Sequence, residues 1–264
     1  MNRELIKTRL QSAVWSVGKF IQQERETFSS HHIEYKGKNN LVSYVDRNAE
    51  ERLMHELSDL IPGCGFINEE SGQKDTNNDF VWVIDPLDGT TNFIHGLPVF
   101  SVSVALLVNQ ELTFGCVYEI NRDELFYAEK GAGAFLNGKP IHISPVQNLS
   151  ECLIATGFPY ADLGYVDAFM NLMKDFMGQA HGLRRLGSAA VDLAYTAAGR
   201  FDGFFESRLN AWDIAAGALL VQEAGGVVRT YKNEESFLFG KSIVAANPVI
   251  LEQMLQVLRK HLNA

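Results

Sequence analysis

Asp85 and Asp88 stand three residues apart in VWVIDPLDGTTNF (residues 81–93), after an apolar run and ahead of Gly-Thr-Thr-Asn. A strand that ends on paired carboxylates above small and hydroxyl-bearing residues is a poor core element. It suits a divalent cation held beside a phosphate. Hard cations such as Mg²⁺ take oxygen ligands in near-octahedral array, usually a few carboxylates completed by water and substrate phosphate. Pro86 fixes one backbone torsion just past the strand, so the turn can aim Asp85, Asp88 and the Leu87 carbonyl into one space. Gly89 permits close backbone approach, and Thr90, Thr91 and Asn92 offer donors at a helix N-terminus, a natural phosphate seat. Two further acidic motifs accompany this one: Glu69-Glu70 in INEES, and Asp213 in NAWDIAAG, expected in a helix's first turn. Taken singly, Glu69-Glu70 reads as solvated loop charge, Asp213 as a helix cap and DPLDG as a turn. What favours chemistry is that apolar segments deliver all three motifs to element ends, where sites are built.

The elements that must position them follow from periodicity. Ile6, Leu10, Val14, Val17 and Ile21 recur at helical spacing, predicting a long amphipathic helix over 3–28. A polar connector is expected over 29–40. A second helix follows with Asp46 as its cap, an apolar face of Ala49, Leu53, Leu57 and Leu60, and a stop at Pro62-Gly63. Strands are predicted at 81–85 and 100–108 and in LTFGCVYEI and ELFYAEKG, with a hairpin signal at Asn137-Gly138. Connections this short imply antiparallel pairing. Beyond about residue 150 helices are expected near 163–179, 188–199, 212–224 and 248–261, alternating with the strands DGFFES, GGVVRTY and KSIVAAN. No repeat or linker divides the 264 residues, so 1–264 reads as one domain whose subregions, 1–148 and 149–264, share a core of layered sheets and helices.

Composition bounds the function. The net charge of −9 argues against nucleic acid as the main ligand, while a bound cation would reverse the local sign for a phosphate. Cys64, Cys116 and Cys152 form neither a disulfide framework nor a zinc site. Charge interrupts the N-terminal apolar residues and no apolar run approaches ~18 residues, so no signal peptide or membrane span is expected and the cytoplasm is the default location. Gly131-Ala132-Gly133 lacks the rest of a dinucleotide fingerprint and is expected to turn a hairpin. Arg184-Arg185 reads as a solvated or salt-bridged pair, His95 as structural, Trp212 as an anchor for the helix of Asp213, and His31-His32 as connector residues without a metal-binding partner.

A phosphoaspartate mechanism of the haloacid-dehalogenase type would need D-x-D-G-T. The aspartates here are one residue further apart, which redirects the second side chain and argues against it. At these residues the sequence instead resembles the inositol monophosphatase family: NEES, DPLDGTTNF, GSAAVDLAYTAAGRFDGFFE, WDIAAGALLVQEAGG and VAANPVI occur in the family's order and spacing, across essentially the whole chain. The resemblance implies an αβαβα five-layer sandwich of the inositol monophosphatase and fructose-1,6-bisphosphatase type. It also implies hydrolysis of a small phosphorylated polyol by metal-activated water, lithium inhibition and a homodimer. Glu69, Asp85 and the Leu87 carbonyl then correspond to ligands of one Mg²⁺. Asp85, Asp88 and Asp213 correspond to those of a second, and Glu69 reaches a weaker third through water. Gly89 and Thr90 correspond to phosphate contacts, the Thr90 hydroxyl to a water-positioning group, Gly187, Ser188 and Ala189 to the lining of the alcohol pocket, and Glu206 to an acceptor for a substrate hydroxyl.

One departure stands out. Relatives carry DLVT ahead of the second helix, and the resemblance assigns its Asp to a proton-relay dyad with the threonine after the motif glycine. Here the stretch is NNLVSYVD, with Asn40 in that place. Asn cannot take a proton as a carboxylate does, which leaves Glu69 and the metal-activated water to carry more of the activation. Inositol-1-phosphate is the expected substrate, a 3′(2′),5′-bisphosphate nucleotidase, fructose bisphosphatase or histidinol phosphatase being alternatives. A phosphatase-like binding partner of the transcription machinery is the alternative of another class; four intact acids favour catalysis, because a pure binder has no physical need for them.

Overall fold

Strand residues alternate between two faces, and in this chain the alternation sorts the apolar residues into separate layers. A computed structural model describes residues 2–28, 33–37, 40–160 and 163–262, with side chains described outside 33–37, 40–42 and 163. Among these residues the helices are α1 (Arg3–Thr27), α2 (Tyr44–Leu60), α3 (Thr90–His95), α4 (Val166–Gln179), α5 (Ala189–Ala197), α6 (Ala211–Glu223) and α7 (Pro248–His261). The strands begin with an antiparallel pair, β1 (Ile33–Gly37) and β2 (Asn40–Ser43). A larger sheet is built from β3 (Gly65–Asn68), β4 (Gly72–Lys74), β5 (Phe80–Asp88), β6 (Ser101–Val108), β7 (Glu111–Glu119), β8 (Glu124–Glu129), β9 (Gly133–Leu136) and β10 (Lys139–Ile141). A smaller one holds β11 (Leu153–Thr156), β12 (Gly182–Arg184), β13 (Gly203–Ser207), β14 (Val227–Arg229) and β15 (Ser242–Ala246).

The larger sheet has the order β10-β9-β8-β7-β6-β5-β3-β4 and is antiparallel except where β3 runs parallel to β5. The smaller has the order β12-β11-β13-β15-β14 and is mixed. Trp82, Ile84, Val104 and Leu106 face α1 and α2, whereas Val81, Val83, Ala105 and Leu107 face α5 and α6. Phe204 and Ala245 of the smaller sheet meet α5 and α6 from the other side, while Phe205 and Val244 turn to α4 and α7. The layers therefore read αβαβα. Each fully buried Leu, Val or Phe in them contributes about 1.5–3 kcal/mol of transfer free energy.

The expectations over 29–40 need correction, because part of that connector pairs as β1 and β2; its His31, His32 and Lys38 lie outside the described residues, as do the side chains of Lys36 and Asn40. Asp46 is not the cap of α2 either. Ser43 is the N-cap, and Asp46 answers it from the third helical position. The Asn137-Gly138 hairpin forms as expected, and the Gly131–Gly133 turn is tied to α6 by the Glu223 carboxylate, which accepts from both glycine amides at 2.9 Å.

Glycine seats α6 against its neighbours. A Cβ on Gly115 would lie 2.9 Å from the Ala216 carbonyl oxygen, and one on Gly217 would lie 2.5 Å from Leu193 Cβ. Larger residues at either position would lift α6, and with it Asp213. Among the described residues no helix is long and apolar enough to cross a membrane.

Candidate active site

The D-P-L-D spacing resolves in the pairing of β5 with β6. Asp85 lies opposite Ser103 and Asp88 opposite Ser101, so three steps on β5 match two on β6. The strand was expected to end at Asp85; it continues to Asp88 through this bulge, which accommodates Pro86 without the amide it lacks. Residues three apart would normally face opposite ways. The extra residue puts both carboxylates on the face of Ser101 and Ser103, toward α6, whose first turn carries Asp213. The turn after β3 brings in Glu69, whose amide donates to the Ile84 carbonyl at 3.2 Å. Glu69, Asp85, Leu87, Asp88, Gly89, Thr90, Gly187 and Asp213 line one cavity of about 710 Å³, and Ser188, Ala189 and Glu206 line an adjoining lobe of about 150 Å³ with Asp88 and Asp213.

Three of the four acids are held by protein donors. The Leu87 amide donates to Asp85 Oδ1 at 3.1 Å. Asp88 Oδ2 accepts from the Ser188 hydroxyl and from the Ala190 amide at 2.7 Å. Asp213 Oδ2 accepts from the Asn210 amide at 2.6 Å, so Asp213 belongs to the third helical position and Asn210 is the N-cap. Among the described residues, no three His, Cys, Asp or Glu side chains are drawn in at metal-ligand spacing; the set converges on the cavity but is open.

The electrostatics show what the set wants. Burial, then repulsion by Asp213, pushes Glu69 up to about 8. Burial pushes Asp213 to about 7 with Asp88 adding repulsion, and Asp85 well above the ordinary carboxylate range with Glu69 adding repulsion. Asp88 is raised by burial although Ser188 and Ala190 pull the other way. Buried like charges with oxygen-only donors form a poor protein interior and a good seat for a hard divalent cation. Ser103 Oγ, opposite Asp85 and buried without a partner, is a further oxygen in want of one. The residues present therefore fit Mg²⁺.

Several functional neighbours escaped the sequence. Thr90 Oγ1 lies 3.0 Å from Asp46 Oδ1 and 3.0 Å from the Leu87 carbonyl oxygen. The threonine thus has a carboxylate partner in Asp46 although position 40 is Asn. Glu50 of α2 accepts from the Glu70 and Ser71 amides at 2.9 Å each, and so fixes the turn that carries Glu69. Asp46 and Glu50 share the apolar face of Ala49 and Leu53; two acids on a buried stripe were the available signal. The Arg pair also divides. Both are exposed, but Arg184 turns to its neighbour's carbonyl whereas Arg185 lines the cavity rim over Phe158 and Tyr160, 6.0 and 5.6 Å from their ring centres. His95 sits exposed at the rim, and Trp212 packs against the central core as expected. A separate cavity of about 460 Å³ gathers Tyr165, Tyr231, Arg208 and His261 around one carboxylate, Glu234, and lacks the paired acids.

Comparison with known proteins agrees with this geometry. Residues 1–263 match the model of the inositol monophosphatase family. The chain is 46% identical over 227 residues to the putative Nus factor SuhB of Neisseria meningitidis serogroup B, covering 86% of this chain and 87% of that one. It is 39% identical over 265 residues to the inositol-1-monophosphatase of Mesorhizobium japonicum, covering all of both. Among solved structures, the extragenic suppressor protein suhB of Bartonella henselae superposes with a TM-score of 0.93 at 38% identity, covering 97% of this chain and 98% of that one. The carboxylate cavity, the layers that build it and the full-length match have one explanation: the chain belongs to the inositol monophosphatase family, within a phosphatase superfamily.

Proposed function

We propose that the chain hydrolyses a small phosphorylated polyol, inositol-1-phosphate first among them, using water and Mg²⁺. The observation that carries this is the convergence of Glu69, Asp85, Asp88 and Asp213 on a cavity that also holds Gly89 and Thr90. Glu69, Asp85, Asp88, Asp213 and the Leu87 carbonyl are the residues that would hold two ions, with a third reached through Glu69. Bound there, divalent cations supply neutralisation of phosphate charge and a lowered pKa for water.

The chain's own groups do the rest. Thr90 donates its single hydroxyl proton to Asp46 or to the Leu87 carbonyl, which leaves an oxygen lone pair to accept from a water and hold it in line. Asp46 is then the acid of the relay. The Gly89 and Thr90 amides seat the phosphate, Gly187, Ser188 and Ala189 wall the alcohol, and Glu206 accepts one of its hydroxyls. Positioning and electrostatics suffice for phosphoryl transfer, so no Ser or Cys nucleophile is invoked.

A phosphate-release panel tests the reading, with inositol-1-phosphate, adenosine 3′,5′-bisphosphate, fructose-1,6-bisphosphate and histidinol phosphate, each with and without Mg²⁺. Turnover greatest for inositol-1-phosphate and absent without Mg²⁺ is expected. Preference for another ester reassigns the substrate; no turnover of any refutes the enzyme. A second reading is favoured by relatives named Nus factor: the chain also binds the transcription machinery. A pull-down that an Asp85→Asn variant leaves undiminished supports that role apart from catalysis; no capture by either form refutes it.

A further inference from the structure

The lobe beside the carboxylate cavity contains an acid that the mechanism does not use. Asp192 lies in α5 with 1% of its surface exposed, lines the lobe, and has no hydrogen-bond partner for Oδ1. Buried polar atoms are almost always partnered, and an orphan in a cavity wall asks what partner it is kept for. Packing gives no reason for an acid here. Every other residue of α5 from Ala189 to Ala197 is buried, and the neighbours Val191 and Leu193 are apolar.

Glu206, at the end of β13, lines the same lobe. Its carboxylate rests on the Gly157 backbone so closely that a Cβ on Gly157 would lie 1.8 Å from Glu206 Oε1. The two acids thus come from different elements, a helix and a strand, to one small space. Burial, then repulsion from Glu206, raises Asp192 well above the ordinary carboxylate range, and a carboxyl in its protonated form donates as well as accepts. Arg185 also lines the lobe and already supplies a positive charge, which favours a neutral hydroxyl over an ammonium group as the missing partner.

We propose that Asp192 is a specificity-determining residue which, beside Glu206, hydrogen-bonds a second hydroxyl of the leaving alcohol, so that the lobe selects phosphates of polyols. This rests on the phosphomonoesterase reading above. A site built around a substrate hydroxyl discriminates strongly against an alcohol lacking it, because its buried polar groups are then left unpaired.

The test compares kcat/KM for myo-inositol 1-phosphate and glycerol 2-phosphate with that for p-nitrophenyl phosphate, whose alcohol carries no further hydroxyl, all with Mg²⁺. Asp192→Ala is expected to lower the polyol-to-nitrophenyl ratio by about tenfold or more, chiefly through KM. Asp192→Asn, which keeps hydrogen-bonding atoms and shape, recovers part of it. Gly157→Ala, whose Cβ would displace the carboxylate of Glu206, lowers the same ratio. Equal losses on all substrates in both Asp192 variants, or an unchanged ratio, overturn the proposal. Wild-type protein that hydrolyses p-nitrophenyl phosphate without preferring the polyol esters overturns it while leaving the phosphatase reading intact. Wild-type protein that hydrolyses none of the three sinks both.

Discussion

Asp46→Asn is the substitution whose consequence can be worked out most fully. Asp46 Oδ2 accepts from the Ser43 amide at 2.8 Å and the Ser43 hydroxyl at 2.6 Å, while Oδ1 faces Thr90 Oγ1 at 3.0 Å. Asparagine has one acceptor oxygen for these two sides. Two donors at Ser43 claim it, which turns the amide NH₂ toward Thr90. The threonine proton then goes to the Leu87 carbonyl, also 3.0 Å away, and its oxygen must accept from the new amide. One of the threonine oxygen's two lone pairs is then taken by that amide, and the hydroxyl no longer has a carboxylate to polarise it toward the water. A hydrogen bond to a charged group is worth about 1.5–3 kcal/mol, so kcat should fall by roughly ten- to a hundredfold. Stability should change little. Loss of the charged partner in the cap costs on the order of 1 kcal/mol, but a neutral side chain escapes the burial that raises Asp46. The assay is steady-state phosphate release for Asp46→Asn, Thr90→Val and the double variant, with thermal melts beside it. If the pair acts as a unit, the double variant is no slower than the worse single one. A kcat for Asp46→Asn within twofold of wild type, or losses that multiply in the double variant, would refute the relay.

Asp85→Asn and Asp213→Asn should each abolish turnover while raising the melting temperature of the metal-free protein, since each removes a buried charge from a repelling set; magnesium-dependent turnover retained in either variant contradicts the assignment. Metal-free protein should lose stability from about pH 4 to 8. The unfolded chain releases these protons near the ordinary carboxylate values, whereas Asp213 and Glu69 hold theirs to about 7 and about 8, so the folded state binds the more protons throughout that window. Thermal melts across pH should show this fall, and Mg²⁺ should raise the melting temperature more at pH 8 than at pH 6; the opposite slope would be inconsistent with a proton-holding cluster. Glu50→Gln keeps one acceptor for the two amides of the Glu69 turn, so the Mg²⁺ concentration for half-maximal rate should rise several-fold while the rate at saturating Mg²⁺ largely recovers. A loss that saturating Mg²⁺ does not relieve would mean Glu50 acts otherwise.

Much of this site was legible because its motifs carry their geometry locally. DPLDGTTN announces a strand end, a constrained turn and a helix start in consecutive residues, and Asp213 announces its place through the apolar helix behind it. What stayed hidden needed pairing or packing. The bulge between Asp85 and Asp88 is a property of β5 against β6, and nothing within 81–93 says that pairing resumes at Asp88. Asp46 looks like a cap because spacing alone does not tell the capping residue from its reciprocal partner three positions on. Its second oxygen reaches Thr90, 44 residues away, and only the fold brings them together. Nothing local singles out Glu50 or Asp192 for a similar reason: whether a helix is buried on one face or all round depends on the layers stacked against it. Arg184 and Arg185 are indistinguishable as neighbours in sequence; the first ends β12 and the second, just beyond it, lines the cavity.

The central claim is that acids far apart in the chain jointly hold divalent cations. Anomalous diffraction from crystals soaked in Mn²⁺, a scattering substitute for Mg²⁺, tests it directly. The account requires anomalous peaks within ligand distance of Glu69, Asp85 and Asp213, lost in crystals of Asp85→Asn; a well-diffracting soaked crystal with those three side chains and no peak among them would contradict it.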